Sequence, residues 1–147
     1  MLAFPVELHP DDNGTLFVTC PFLPEVKTFG DDRADAMRHA SDAIEEAIAG
    51  RMARWEDIDV LPDTDAFKTA AAEDRLVKLP LQAVMKLLLF RACKQEGVTR
   101  AELARRLGWH REQVDRLFRL DHASRIDQID AAVAAVGRSF ELELHAA

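Results

Sequence analysis

The sequence predicts an α+β protein in which an N-terminal small antiparallel sheet with one helix precedes an all-α helix-turn-helix domain ending in a short β-strand. Three observations predict this class. Apolar residues alternate around an Asn-Gly turn in the first 30 residues, an apolar stripe with helical spacing follows Gly30, and glycines separate amphipathic segments after Pro80. The length of 147 residues suits one domain or two small ones, and we expect two, over 1–79 and 80–147.

The sheet is predicted from four short segments. Apolar residues alternate with other residues over 4–8, and Asp12-Asn13-Gly14 is typical of a hairpin turn because Asn-Gly tolerates positive φ. A second strand is expected over 16–20 and a third over 26–29. Residues 76–79 are a candidate fourth strand that would complete the sheet.

The helix of this first domain is predicted to begin at Asp31 or Asp32, either of which can cap it, and to end near Gly50. Its apolar face consists of Met37, Ala40, Ile44, Ala47 and Ile48. The acidic segment at about 55–74 contains Pro62 and is expected to be a connection. Its large apolar residues would order it in part: Trp55, Ile58 and Phe67.

The distribution of charge divides the chain in two. Residues 1–74 contain 17 acidic and 6 basic residues, net −11, and residues 75–147 contain 9 acidic and 13 basic residues, net +4. The basic half suits phosphate and the acidic half suits a basic protein, so two different partners are expected. No apolar run is long enough to span a membrane, and the N-terminus lacks the pattern of a secretion signal. We therefore expect a cytoplasmic protein.

Residues 99–120 have the pattern of a helix-turn-helix, and an amphipathic helix over 81–95 precedes them. Thr99 can cap a helix, and Glu102 three residues later can close a capping box. Gly108 supplies the tight break between the two helices. The apolar face of the motif consists of Leu103, Ala104, Leu107, Val114, Leu117 and Phe118.

The polar residues of this motif predict DNA binding. Arg111, Gln113 and Arg116 lie near the start of the second helix, and Arg and Gln can make bidentate hydrogen bonds to guanine and adenine in the major groove. The flanking residues are expected to contact the DNA backbone or remain solvated. The full set of candidates is Thr99, Arg100, Arg105, Arg106, His110, Arg111, Glu112, Gln113 and Arg116. The alternative is an ordinary helical hairpin with a solvated basic face.

The C-terminal segment SFELELH predicts a strand because its apolar residues alternate with polar ones. Such a terminal strand needs a partner, and pairing with the same strand of a second copy would give a symmetric dimer through Phe140, Leu142 and Leu144. Folding back on the N-terminal sheet is the alternative. Upstream, Ser124 and Asp127 are expected to form a capping box for a helix.

The first half of the chain resembles the HicB family of type II antitoxins. The resemblance lies in LFVTCPFLPEVKTFGDDRADAMRHASDAIEEAI, residues 16–48, and above all in Pro21-Phe-Leu-Pro24 and the turn Thr28-Phe-Gly30-Asp31. The family commonly has glycine and cysteine after the second proline, where this chain has Glu-Val. Residues 81–145 are similar to the phage-repressor type of helix-turn-helix that one subgroup of the family carries at its C-terminus.

This resemblance implies a fold and two partners. The fold is a partial RNase H-like sheet that has lost its nuclease site. The protein partner is HicA, a small toxin of double-stranded-RNA-binding type that cleaves mRNA with a histidine; the antitoxin masks it, and the complex represses its own operon. We expect such an antitoxin, as a homodimer or higher even oligomer. A stand-alone helix-turn-helix repressor with a small ligand-sensing or interaction domain is the alternative.

The expected toxin-binding residues depend on the register of the first hairpin. If Asn13-Gly14 alone forms the loop, Leu16, Val18 and Cys20 face away from the apolar residues of the first strand and are available to a toxin, whereas a longer loop changes the register. The sequence offers no set of converging carboxylates, no metal-ligand spacing among its five histidines and no glycine-rich phosphate loop. We expect no enzyme activity, no metal and no cofactor.

Overall fold

The computed structural model describes residues 2–146 and divides the chain into two compact units that meet between Leu81 and Gln82. We call them the N-terminal unit and the C-terminal unit. The N-terminal unit contains small antiparallel sheets and two helices, and the C-terminal unit contains four helices among its described residues. The predicted mixture of a small antiparallel sheet followed by helices is confirmed.

Five short strands form the sheets of the N-terminal unit: β1 (Ala3–Pro5), β2 (Glu7–Pro10), β3 (Leu16–Thr19), β4 (Lys27–Gly30) and β5 (Leu76–Lys78). Strand β1 pairs with β5, while β2, β3 and β4 form a three-stranded antiparallel sheet in that order. The chain changes partner at Val6, whose N–H donates to the carbonyl of Arg75 at 3.0 Å. The first strand is therefore bent into two pieces that serve two sheets.

The first hairpin loop is longer than two residues. The N–H of Asp11 donates to the carbonyl of Thr15 at 2.9 Å, so the turn spans 11–15, and Gly14 has a φ of +81°. In the resulting register Leu8 lies directly opposite Val18. Opposed residues of an antiparallel pair share one face of the sheet. Val18 and Leu8 therefore face the same side, which corrects the register expected for a two-residue loop.

Helix α1 (Arg33–Ala53) packs on one face of the three-stranded sheet. Its N-cap is Asp32, whose Oδ1 accepts from the N–H of Asp35 at 2.8 Å. Its buried face consists of Ala36, Ala40, Ile44, Ala47, Ile48 and Met52. The prediction that it ends near Gly50 is wrong, because the fully buried Met52 extends the apolar face by one more turn.

Sheet and helix approach closely at Gly30. A Cβ on Gly30 would lie inside contact distance of the backbone of Ala36 and 2.8 Å from its Cβ, so only glycine fits there.

The acidic connection contains a helix, α2 (Asp65–Ala72), which the sequence did not predict. Thr64 caps it, with its Oγ1 accepting from the N–H of Phe67 at 3.3 Å, and Ala70 is fully buried. The guanidinium of Arg33 donates to the carbonyls of Glu73 at 2.9 Å and Asp74 at 2.7 Å. The connection is therefore part of the N-terminal unit's structure.

The C-terminal unit consists of α3 (Leu81–Glu96), α4 (Arg100–Leu107), α5 (Arg111–Leu117) and α6 (Ile126–Ala135). Its fully buried side chains include Leu87, Leu89, Phe90, Leu103, Val114 and Ile129. The predicted capping box at Ser124 is wrong: Arg125 occupies the N-cap position of α6, with no side-chain hydrogen bond. The backbone of Ser124 instead bonds to the side chain of Gln82.

The predicted C-terminal strand is wrong for the single chain, because residues 138–146 form no regular secondary structure. Leu142 is 71 % exposed and Leu144 is fully exposed, so these two leucines lack a covering surface, whereas Phe140 is half-buried. No helix in the described part of the chain is long and apolar enough to cross a membrane.

Candidate functional site

The turn between α4 and α5 is built by local hydrogen bonds that the sequence predicts in part. Thr99 caps α4, with its Oγ1 accepting from the N–H of Glu102 at 3.1 Å. Gly108 ends α4 in the left-handed region with a φ of +66°, and the N–H of Trp109 donates to the carbonyl of Ala104 at 3.0 Å. A residue with a side chain would be strained at Gly108. The two short helices are thus joined by a tight three-residue turn.

Helix α5 begins with a cap in which Gln113 takes part. The N–H of His110 donates to Oε1 of Gln113 at 2.9 Å. A bidentate contact to adenine uses both the oxygen and the nitrogen of a glutamine amide, and the His110 N–H takes one of the two lone pairs of the Gln113 oxygen. The second lone pair and the Nε2 donors remain available to a ligand.

The candidate DNA-binding residues lie around this turn. Their side chains are solvent-exposed, except for the half-buried Arg100: Thr99, Arg105, Arg106, His110, Arg111, Glu112, Gln113 and Arg116. Several of these arginines already pair with acids of the same unit. Arg111 Nε lies 3.1 Å from Asp115 Oδ1, and Arg100 Nε lies 3.9 Å from the same atom.

Glu102 holds two more of these arginines. Its carboxylate lies 2.5 Å from Arg105 Nη2 and 3.0 Å from Arg106 Nε. The hydrogen bonds from Arg105 and Arg106 lower the pKa of Glu102 to about 2. The carboxylate is therefore ionised at neutral pH and compensates part of the positive charge near the turn.

Arg116 differs from these neighbours. It is exposed on α5, and no acid among residues 2–146 lies within ion-pair distance of its guanidinium. An exposed arginine without an acidic partner needs to break no existing interaction before it meets phosphate or a base edge.

A second candidate site is the face of the three-stranded sheet opposite α1, which we call the outer sheet face. Its members alternate with the buried ones along the strands: Glu7, His9, Phe17, Thr19, Lys27 and Phe29. The rings of Phe17 and Phe29 lie 4.9 Å apart, and that of His9 lies 6.0 Å from Phe17. Phe29 is 53 % exposed, so an aromatic row crosses all three strands in contact with solvent.

The residues expected to bind a toxin lie elsewhere. Val18 and Cys20 are buried and Leu16 is half-buried, because the longer hairpin loop turns Val18 toward α1. A partner cannot reach Val18 or Cys20 in this fold. Burial also raises the pKa of the Cys20 thiol, and it raises that of Cys93 in the C-terminal unit to about 11.

Sequence reasoning missed the aromatic row and the buried Lys86 of α3. The signal for Lys86 is a lysine within the apolar stripe of Ala83, Leu87 and Phe90, at spacings that place all four on one helical face. The signal for the aromatic row is available only once the register is known, because Phe17 and Phe29 are opposed across β3 and β4. Within residues 2–146 no cluster of three His, Cys, Asp or Glu could hold a metal ion.

Comparisons with known proteins give one consistent family. A family model described as HicB_like antitoxin of bacterial toxin-antitoxin system matches residues 3–88. "Antitoxin HicB" of Escherichia coli (strain K12) is 33 % identical over 141 residues, covering 96 % of this chain and 98 % of that protein. "Antitoxin HicB" of Pseudomonas fluorescens (strain Pf0-1) is 33 % identical over 147 residues, covering 100 % of this chain and 97 % of that protein.

A solved structure was also found, the crystal structure of the Burkholderia pseudomallei antitoxin HicB. It is 25 % identical, covers 56 % of this chain and 67 % of that chain, and aligns with a TM-score of 0.45. The similarity to the two full-length relatives extends through both units of the chain, beyond the residues that the family model matches.

Proposed function

This chain belongs to the HicB-like family of bacterial antitoxins, and from that membership we propose that it binds and neutralises a HicA-like mRNA-cleaving toxin and represses its own operon. The N-terminal unit binds the toxin and the C-terminal unit binds operator DNA as a helix-turn-helix. The observation that carries the DNA-binding half is the exposed face of α5, where Arg116, which lies in the last turn and not near the start of the helix, has no acidic partner among the described residues. A stand-alone repressor is not favoured, because the matched relatives are antitoxins.

The toxin-binding surface in this proposal is the outer sheet face. A face with two phenylalanine rings in tilted contact supplies apolar surface, and the net charge of −11 over residues 1–74 attracts a basic partner from a distance. This surface replaces the expected set of Leu16, Val18 and Cys20, two of which are buried. The occupant to which the proposal commits is a small basic toxin encoded beside this protein.

Substitution of Phe29 tests the outer sheet face. We expect Phe29→Ala to weaken binding of the toxin at least tenfold in calorimetry and to abolish rescue of growth on co-expression, since a central aromatic residue carries much of an interface's affinity. The matched control is Leu61→Ala, which removes an equally exposed apolar side chain of the same unit elsewhere on its surface. Full neutralisation by a folded Phe29→Ala variant would exclude the outer sheet face.

The DNA-binding surface consists of Arg111 and Arg116 with their flanking residues. We expect Arg116→Ala to cost about 1–3 kcal/mol of operator affinity if it reads a base, and to lose discrimination at one position. Arg125→Ala is the control, because Arg125 is also exposed but pairs with Asp127 at the start of α6. Gel-shift titrations on the upstream region of the operon measure the operator affinity of both variants. A loss of affinity that is uniform across all DNA sequences means that Arg116 contacts phosphate. No loss of affinity excludes α5 as the helix that contacts the bases.

The C-terminal segment supports a dimer in this proposal. Leu142 and Leu144 are exposed, and a groove of about 220 Å³ at the start of the segment has a mixed lining of apolar residues, among them Leu88 and Phe140, and polar ones, among them Arg91 and Gln95. Pairing with the same segment of a second copy would cover these leucines and give Phe140 a strand neighbour. We expect the double variant Leu142→Asp/Leu144→Asp to be monomeric by light scattering. A dimer that survives this change would place the interface elsewhere.

A further inference from the structure

Lys86 on α3 is a buried cation whose partners are all backbone carbonyls. The residue is 1 % exposed, and its Nζ lies 3.1 Å from the oxygen of Arg116, 2.7 Å from that of Arg119 and 2.5 Å from that of His122. A lysine ammonium has three donors and no acceptor, so these three carbonyls satisfy it completely. Burial of a charged group costs free energy unless the group is paired. A lysine buried at this position is therefore expected to have a structural role.

The three carbonyls belong to the last turn of α5 and the segment that follows it. The final carbonyls of a helix lack intrahelical partners, and a positive charge at that end interacts favourably with the helix dipole. One turn earlier on the same face of α3, Gln82 accepts from the N–H of Ser124 at 2.9 Å and donates to the carbonyl of Ser124 at 3.1 Å. Two side chains of α3 therefore hold the chain from 116 to 124.

Helix α5 needs such an anchor because it is only seven residues long and buries Val114 and Leu117. Two apolar contacts hold a short helix against the core but leave it able to tilt about the line that joins them. We propose that Lys86 is a positioning residue that fixes the orientation of α5, and with it the direction in which Arg111 and Arg116 point. That Lys86 affects operator binding rests on the proposed function, whereas its effect on the orientation of α5 does not.

The charged groups around Lys86 are Asp121 and Arg119, beside the carbonyls of Arg116 and His122. Burial lowers the pKa of Lys86 to about 8, with Asp121 opposing and Arg119 adding to the shift. Above that pH the neutral amine has only two donors for three carbonyls. Mildly alkaline pH thus weakens the anchor without any substitution.

The first test needs no DNA. In the unsubstituted protein we expect the carbonyl carbon resonances of Arg116, Arg119 and His122 to titrate together between about pH 7 and 9.5, with one common midpoint. Lys94→Met, which removes another lysine of α3, should leave this titration unchanged. Lys86→Met should abolish it and shift the amide resonances of α5. Amide resonances of α5 that are unaffected by Lys86→Met would overturn the proposal.

The second test measures operator affinity. We expect folded Lys86→Met to bind the operator at least tenfold more weakly than the unsubstituted protein at pH 7, while Lys94→Met stays within twofold and toxin neutralisation is unaffected. Folded Lys86→Met that binds as well as the unsubstituted protein would overturn the proposal.

Two other outcomes of these tests are also decisive. If the unsubstituted protein binds no operator, the DNA-binding function fails, while the response of the α5 amides to Lys86→Met still decides the role of Lys86. If Lys86→Met does not fold, the α5 amides of the unsubstituted protein are followed across the pH at which Lys86 is observed to deprotonate, and amides that do not shift overturn the proposal.

Discussion

The interior of the N-terminal unit and the interior of the C-terminal unit are stabilised by different kinds of contact. Among the described residues, those that are buried in the N-terminal unit are apolar or glycine, and helix α1 approaches the sheet closely where Gly30 meets the backbone of Ala36. In the C-terminal unit Lys86 and Ser124 are also buried, and both take part in the hydrogen bonds that hold the chain after α5.

The difference follows from the length of the elements. Helix α1 has 21 residues and six buried side chains, so its apolar face alone specifies how it lies on the sheet. Helices α4 and α5 have eight and seven residues, with one and two buried side chains respectively. Helices this short are marginal by themselves, and directional hydrogen bonds add the specificity that their apolar faces cannot supply.

The largest expected effect is that of Gly30→Ala on the N-terminal unit. The new Cβ would overlap the backbone of Ala36, and overpacking of this kind costs up to about 3 kcal/mol of unfolding free energy. Alkylation of the buried Cys20 should then become roughly a hundredfold faster, since each 1.4 kcal/mol is a factor of ten in the open population. The rate at Cys93, in the C-terminal unit, serves as the internal reference.

Gly50→Ala is the matched control for this prediction. A Cβ on Gly50 meets only the flexible end of Arg54, and alanine in a helix interior is more stable than glycine by roughly 0.5–1 kcal/mol. It should slow the alkylation of Cys20. Equal rates of Cys20 alkylation in the Gly30→Ala and Gly50→Ala variants would mean that the contact between Gly30 and Ala36 tolerates a Cβ.

The next largest effect is that of Gln82→Leu on the C-terminal unit. The change leaves the N–H and the carbonyl of Ser124 without their side-chain partner, which costs about 2 kcal/mol for buried polar groups. Urea denaturation followed by far-UV circular dichroism measures the loss. Ser124→Ala removes only a hydroxyl that lies 3.4 Å from the carbonyl of Arg116, so it should cost less than about 1 kcal/mol. The reverse order would contradict the anchoring role of Gln82.

A smaller effect compares the helix caps of the two units. Asp32→Ala and Thr99→Ala each remove a side chain that accepts from a backbone N–H at a helix start, and each should cost about 1 kcal/mol in thermal unfolding. Only Thr99→Ala should also weaken operator binding, because α4 sets the turn that presents α5. Equal effects of both variants on operator binding would contradict this division between the units.

The smallest expected effect is a pH dependence of α4. Arg105 and Arg106 lower the pKa of Glu102 to about 2 from an ordinary value near 4.5. The stability contributed by this depressed pKa is fully present above about pH 4.5 and is lost as the pH falls toward 2. An NMR titration of the Glu102 carboxyl carbon measures the midpoint. The double variant Arg105→Ala/Arg106→Ala should return it to the usual range, and an unchanged midpoint would contradict the ion pairs.

An NMR titration of the Glu25 carboxyl carbon makes the same comparison in the N-terminal unit. The bidentate contact of Arg51 lowers the pKa of Glu25, which lies just before β4. Both units therefore use an arginine–carboxylate contact at the surface, where such pairs contribute little to stability. The contrast between the units lies in their interiors.

Features with a local cause could be predicted from the sequence. The cap at Thr99, the left-handed Gly108, the extent of α3 and the central part of the apolar face of α1 (residues 40–48) each follow from a few neighbouring residues, whereas the predicted Met37 is only half-buried. Helix α2 was missed because the acidic residues and Pro62 around it suggested a connection, although Thr64 is a good cap and alanines follow it.

Features that depend on distant partners could not be predicted in this way. The register of the first hairpin depended on the length of its loop, and it decided which of Val18 and Phe17 reaches the surface. The partners of Lys86 are carbonyls 30 to 36 residues away in the chain, which no periodicity records. The residues 140–145 have the alternation of a strand, but alternation cannot supply a partner, and in the described part of the chain no strand pairs with them.

The pairing of β1 with β5 has a consequence for biosynthesis. Ala3 and Lys78 are opposite each other although they lie at the two ends of the N-terminal unit. A ribosome adds roughly 5–20 residues per second, so the first strand waits on the order of 4–15 s before its neighbour exists. Until then the N–H and C=O groups of β1 lack their strand partner, so the N-terminal unit cannot complete its fold before residue 78 has been made.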